Sequence, residues 1–191
     1  MPIKLLHLIT ELNIGGAEKA LARLLSHLDR SRFIPTVACL YGGGGPVADE
    51  IRALNVPVID LGMTAKWRWD AFWQLYRLLH REHPTVLHAW MFHANVPGRV
   101  LGRLAGVPVI ISSERTMGME SRWRYWLNRI TGPLTDRVVC VSHQVADFVS
   151  QNLAHIEGVQ GTVTHFVLKR YKEDGETLDG GEGAKRQPVI L

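Results

Sequence analysis

Three stretches of the chain carry residues whose types and spacing could do chemistry. The first, Asn13-Ile14-Gly15-Gly16-Ala17-Glu18, sets two glycines in succession, so that backbone N–H groups can approach a bulky or anionic ligand. A tight turn from strand to helix would ask for the same pair. The second, His88-Ala89-Trp90-Met91-Phe92-His93-Ala94-Asn95, offers His93, an imidazole able to exchange a proton or hydrogen-bond a hydroxyl near neutral pH. His88, inside an apolar run, reads as a packed core residue. The third, Ser112-Ser113-Glu114-Arg115-Thr116, puts a carboxylate that could accept a proton or a sugar hydroxyl beside a guanidinium that could clamp an anion. The plainer alternative for Glu114 and Arg115 is a surface ion pair.

The absent motifs narrow that chemistry. No G-x-G-x-x-G follows the first apolar run and no G-x-x-x-x-G-K-[ST] occurs, so dinucleotide-oxidoreductase and P-loop readings lose most of their support. A G-x-S-x-G elbow, an H-E-x-x-H pair and a D-x-D pair are also missing. A nucleophile-elbow hydrolase, a zincin and a metal-dependent sugar-nucleotide site each lack their sequence handle. Metal-free chemistry without a bound cofactor is the expectation.

The loops need a scaffold to hold them. Short apolar runs at about 3–9, 34–40, 57–61, 85–90, 108–112 and 137–141 alternate with stretches of helical period. That order predicts an α/β fold, a Rossmann-like parallel sheet with helices on both faces. In such a sheet ligands bind beyond the C-terminal ends of the strands, where all three loops fall. In the first helix Ala17, Leu21, Leu24, Leu25 and Leu28 form the expected sheet-facing stripe, with Glu18, Lys19 and Arg23 on the other side. Later, Trp69, Phe72, Trp73, Tyr76 and Leu79 recur at three- and four-residue spacings and are expected to cover the sheet.

At 191 residues and 46% hydrophobic content the chain can bury one ample core but not two domains of ordinary size. A net charge of +4 permits an anionic partner such as a sugar nucleotide or an acidic lipid surface, and does not demand nucleic acid. Cys39 and Cys140 sit in separate apolar runs without ligand spacing, which suits a reducing, cytoplasmic setting. No run reaches the roughly 18 apolar residues of a membrane span. Two clusters mix Trp with Arg, at residues 66–73 and 122–129. In the second, Arg122, Trp123 and Trp126 are candidates for contact with an anionic membrane surface, which would make the protein peripheral at the inner face.

The segments HLITELNIGGAEKALARLL, LHAWMFHANVPGRVLGRLAGVPVIISSERT and DRVVCVSHQVADFV, taken in this order, resemble the N-terminal half of a family 4 glycosyltransferase of the GT-B architecture, from about residue 3 to residue 150. The resemblance implies transfer of a sugar from a nucleotide-sugar donor, with retention of configuration and without a metal, to a glycan or lipid-linked acceptor in polysaccharide or envelope synthesis. It implies that Gly15, Gly16, Glu18, Asn95 and Arg115 bind substrate, and that His93 and Glu114 orient or polarise the acceptor hydroxyl. Many relatives carry a His where Glu114 stands. The donor-binding C-terminal domain of the family, with its basic residues and spaced glutamates, has no counterpart in residues 155–191. The expected organisation is therefore an acceptor-side domain over 1–155 and an atypical tail over 156–191. Within the tail 162–168 has strand composition, and about 169–188 is expected to be mobile. The alternative reading is a non-catalytic sugar- or membrane-binding remnant of such an enzyme.

Overall fold

The computed structural model describes residues 2–63, 69–115 and 122–142, residues 144, 145 and 149, and two short strand pieces near the C-terminus. Apolar runs without strict alternation form strands covered on both sides: β1 (Ile3–Ile9), β2 (Phe33–Cys39), β3 (Val58–Asp60), β4 (Val86–Trp90), β5 (Val109–Glu114) and β6 (Arg137–Cys140). Between them lie α1 (Gly16–Ser26), α2 (Pro46–Ala53), α3 (Trp69–Glu82), α4 (Phe92–Leu104) and α5 (Arg122–Thr131). A 3-10 turn at Gly132–Leu134 leads into β6. The six strands make one parallel sheet in the order β3-β2-β1-β4-β5-β6.

Winding reverses between β1 and β4, whose central residues pair as His7 with His88. The loops after these two strands therefore diverge around a crevice at the topological switch point, the position where open α/β sheets take their ligands. One layer of core joins Leu6, Leu8, Leu40, Leu87 and Ile110 to the α3 residues Ala71, Leu75, Leu78 and Leu79. The opposite layer joins Ile9, Val37, Cys39 and Trp90 to Leu21, Ala22 and Leu25 of α1 and Val47, Ala48 and Ile51 of α2. Helices thus cover both faces, as the run pattern requires. Both cysteines are buried and free.

α4 approaches the sheet unusually closely because two of its sheet-facing positions are glycine. A Cβ on Gly98 would sit 3.1 Å from Ala89 Cβ, and one on Gly102 would sit 2.9 Å from both Ile110 Cδ1 and Leu87 Cδ2. The close approach buries Asn95 and Arg99 completely, in a helix whose sequence looks only moderately amphipathic.

Several expectations are corrected. The inward stripe of α1 is Ala17, Leu21 and Leu25 with Glu18 and Ala22, while Leu24 is exposed. The stripe runs at four-residue steps, which rotates Leu24 to the rim. In α3 the sheet is covered by Ala71, Leu75, Leu78 and Leu79, while Trp73 turns outward to stack on Tyr76 under the Arg77 guanidinium. Small and aliphatic side chains fit the narrow gap and leave the bulky ring to solvent. β5 runs on to Glu114, so Ser113 and Glu114 are strand residues rather than loop. Two short strands, β7 (Lys172–Glu173) and β8 (Glu176–Thr177), pair antiparallel, and the rest of the stretch expected to be mobile, 169–188, lies outside the described residues. The strand expected at 162–168 lies outside the described residues.

Candidate active-site crevice

The crevice is bounded on one side by the first turn of α1. Gly15 has an extended backbone that any residue adopts, so its lack of a side chain has another cause. A Cβ there would fall 2.2 Å from Glu18 Oε2. The Glu18 carboxylate folds back over this turn, where the unpaired N–H groups and positive end of the helix dipole stabilise it, and it is buried there. Glu18 was expected on the outer side of the helix, and this dipole contact is why it is not. Gly16 differs, because a Cβ added to it would meet nothing within 4 Å. Packing explains Gly15 and leaves Gly16 facing open space.

Across the crevice Arg115 follows the last residue of β5 and is half-buried. Burial lowers its pKa from the ordinary guanidinium value, and the Glu18 charge acts in the opposite sense. The carboxylate whose charge acts on Arg115 is therefore Glu18 in the first turn of α1, and the fold brings these two sequence-predicted residues into each other's field.

Glu114 has a different role from the exposed mouth residue of the sequence reading. It is buried, and its Oε1 accepts hydrogen bonds from Asn95 Nδ2 at 2.9 Å, Arg99 Nη2 at 3.2 Å and Asn128 Nδ2 at 3.4 Å. Arg99 in turn donates through Nε to Ser112 Oγ at 2.9 Å and through Nη1 to Thr131 Oγ1 at 3.3 Å and to Asn128 Oδ1. Ser112 Oγ meets Thr135 Oγ1 at 2.7 Å, and Asn95 Nδ2 also donates to the carbonyl of Ser113. This connected set ties β5, α4, α5 and the turn before β6 together, and it is not a surface pair with Arg115. Asn95 belongs to the same set, though its Oδ1 has no partner among the described residues. Arg99 escaped the sequence reading. Its available signal was an arginine between Gly98 and Gly102 on a face that had to approach the sheet.

His93 lies in the first turn of α4, half-buried, at the edge of an apolar pocket lined by Tyr41, Met63, Phe72, Phe92 and Val96. Its Nε2 is 3.2 Å from Arg124 Nη2 on α5. The ring edge contact with Phe92, 5.5 Å between centroids, holds it from the other side. Nearby within the sheet, His88 Nε2 meets Ser113 Oγ at 2.8 Å and Trp90 Nε1 donates to His7 Nδ1 at 3.2 Å. His7 therefore carries its proton on Nε2, which has no partner among the described residues. Burial pushes His88 down to about 4, and burial followed by the His88 charge holds His7 well below the ordinary imidazole value. Both are neutral core groups, in keeping with the sequence reading of His88.

Along α5, Asn128 and Thr131 face inward while Trp123, Trp126 and Ile130 are exposed, with Arg122 and Arg129 exposed beside them. The helix contains no acid. Residues 64–68, which hold the start of the other aromatic cluster, lie outside the described residues. Among the described residues no group of three or more His, Cys, Asp or Glu is arranged to hold a metal ion, and no helix is long and apolar enough to cross a membrane.

Residues 14–157 match the family model described as Glycosyltransferase Family 4. The UDP-Gal:alpha-D-GlcNAc-diphosphoundecaprenol alpha-1,3-galactosyltransferase of Escherichia coli is 24% identical over 153 residues, which covers 74% of this chain and 39% of that enzyme. The uncharacterized HTH-type transcriptional regulator YugG of Bacillus subtilis (strain 168) is 48% identical over 42 residues, 22% of this chain and 25% of that protein. Among solved structures, Anabaena Alr3699/HepE in complex with UDP and glucose shares the fold at a TM-score of 0.69 and 15% identity, over 85% of this chain and 44% of that one. The chain thus spans less than half the length of the galactosyltransferase and of HepE.

Proposed function

The chain belongs to glycosyltransferase family 4, and from that premise we propose that it forms the acceptor-side half of a retaining, metal-independent transferase. Its donor is a nucleotide sugar and its acceptor a lipid-linked glycan of the cell envelope. The observation that carries this reading is the switch-point crevice. There the open Gly16 turn follows β1, His93 follows β4 and the half-buried Arg115 follows β5, and these three strands are neighbours in the sheet. In the transfer the C1–O bond between sugar and nucleoside diphosphate breaks and the acceptor oxygen bonds C1. The hydroxyl proton leaves with the diphosphate. The backbone at Gly16 and the Arg115 cation suit phosphate oxygens, while His93 hydrogen-bonds and orients the acceptor. Glu114 acts through Asn95 and Arg99 to fix the walls of the site, so it is a positioning residue.

The lipid-linked acceptor is supported by the similarity to the Escherichia coli galactosyltransferase, whose acceptor sugar is carried on diphosphoundecaprenol. It is also supported by α5, where an exposed Trp123, Trp126 and Ile130 between Arg122 and Arg129 suit the headgroup layer of an anionic bilayer. The working location is then the cytoplasmic face of the membrane, with the protein attached peripherally.

A water-soluble N-acetylglucosamine diphosphate on a short prenyl chain, titrated into the whole chain and followed by amide NMR, tests the assignment. Shifts centred on Gly16, His93 and Arg115 that need the sugar are the expected result. Shifts confined to α5 and equal for the sugar-free prenyl diphosphate would leave only a membrane-binding domain.

A further inference from the structure

We propose that Arg124 is a positioning residue for His93, fixing the imidazole as the neutral tautomer protonated on Nδ1 at the edge of the apolar pocket. The argument begins with the donor inventory. A guanidinium has only N–H groups and no acceptor, so the 3.2 Å contact between Arg124 Nη2 and His93 Nε2 requires a lone pair on Nε2. The ring proton then resides on Nδ1. This fixes a question that histidine geometry alone leaves open.

The guanidinium is itself held in place. Its carbon lies 5.3 Å from the centroid of Phe92 and 5.5 Å from that of Trp123, and these two rings meet edge-on at 5.8 Å. Phe92 precedes His93 on α4, and Trp123 precedes Arg124 on α5, so one cation clamped between two rings locks the first turns of both helices together. Arg124 is half-buried, unlike Arg122 and Arg129 on the same helix, which point to solvent. The arginines of α5 thus divide by register: two belong to the surface and one to the site.

A permanent cation at hydrogen-bond distance opposes a second positive charge on the ring. With Nε2 accepting from Arg124, His93 does not take a proton at that nitrogen. This departs from the proton exchange that the sequence suggested for His93. Its consequence for sugar transfer rests on the proposed function: His93 orients the acceptor, and the proton leaves with the diphosphate.

The test is a long-range nitrogen–proton NMR spectrum of the imidazole rings in the whole chain, with His93 assigned by its disappearance in His93→Gln. The wild-type chain should show His93 protonated on Nδ1. In Arg124→Leu, which removes the donor facing Nε2, the Nε2-protonated form should gain population, and Arg124→Lys should restore the Nδ1 form. A wild-type ring protonated on Nε2 overturns the proposal even if Arg124→Leu fails to fold, and so does an unchanged tautomer in a folded Arg124→Leu. No ligand enters these measurements. A failure of acceptor binding would remove the transferase reading and leave the tautomer assignment standing.

Discussion

Arg99 and Glu114 form an ion pair in the interior, Nη2 to Oε1 at 3.2 Å, with side chains 0% and 6% exposed. Each charge is also hydrogen-bonded by neutral groups, Glu114 by Asn95 and Asn128 and Arg99 by Ser112 and Thr131. Such a pair contributes little net stability by itself, because desolvation offsets the attraction, yet removing one partner strands the other. Arg99→Met and Glu114→Leu are each expected to lower unfolding free energy by about 3–5 kcal/mol. The double variant should lose less than the sum of the two. Urea unfolding of the four proteins checks this, and additive losses would refute the coupling.

Gly15 and Gly16 are adjacent in sequence and opposite in what surrounds them. Gly15→Ala drives a methyl into the buried carboxylate of Glu18 and should cost about 1 kcal/mol, while Gly16→Ala should stay within about 0.5 kcal/mol of wild type. Shortening the acid in Glu18→Ala removes the clash. Gly15→Ala should then cost less in that background, with a coupling of at least about 0.5 kcal/mol. Equal costs at Gly15 and Gly16 would show that the carboxylate is not seated over the turn. In an acceptor titration the ranking should invert, with Gly16→Ala the more damaging change.

The difference between these two glycines was beyond the reach of the sequence, and so was much of the site, for identifiable reasons. The sheet was legible because strands covered on both faces must be apolar throughout. The loops after them were legible because the parallel order fixes which ends diverge. The failures fall where a polar group is buried. Glu114 looked like a loop residue because a strand end written Ser-Ser-Glu carries no apolar mark. Arg99 went unnoticed because arginine is usually a surface residue, and its burial depends on the close approach allowed by Gly98 and Gly102. Trp73 erred in the other direction: a large apolar ring at helical spacing reads as core, yet Leu75, Leu78 and Leu79 had already filled the available width.

The histidine pair inside the sheet gives a pH dependence whose sign is fixed. In the unfolded chain an imidazole titrates near 6.5. In the folded chain burial takes His88 down to about 4 and His7 lower than the ordinary value. Above about pH 6.5 neither state binds these protons and stability is level. As pH falls below that value the unfolded chain takes up protons that the native chain refuses, so stability falls toward pH 4. For His88 alone the loss is on the order of 3 kcal/mol across that window. His88→Gln should flatten the profile measured by chemical unfolding between pH 7 and 4.5. An unaltered slope would mean that other groups carry the acid sensitivity.

Vesicle binding tests the outward face of α5, because its aromatic and cationic parts predict separable effects. Trp123, Trp126 and Ile130 contribute through burial in the headgroup layer, which depends little on salt, whereas Arg122 and Arg129 act by attraction to anionic lipid, which salt screens. Each arginine near a charged bilayer contributes about 1 kcal/mol, so Arg122→Gln with Arg129→Gln should weaken binding to phosphatidylglycerol vesicles about 30-fold at low salt. The same pair should change binding to phosphatidylcholine vesicles very little. Trp126→Ser should weaken both, and the part it removes should persist at high salt. Arg124→Gln is the internal control. Its guanidinium is engaged by Phe92, Trp123 and His93, so it should affect vesicle binding less than either surface arginine while disturbing the His93 ring. Sedimentation with vesicles of the two compositions reads these variants, together with Arg122→Gln and Arg129→Gln taken singly. If Arg122, Arg124 and Arg129 proved equivalent, the division of α5 into a membrane face and a site face would be wrong.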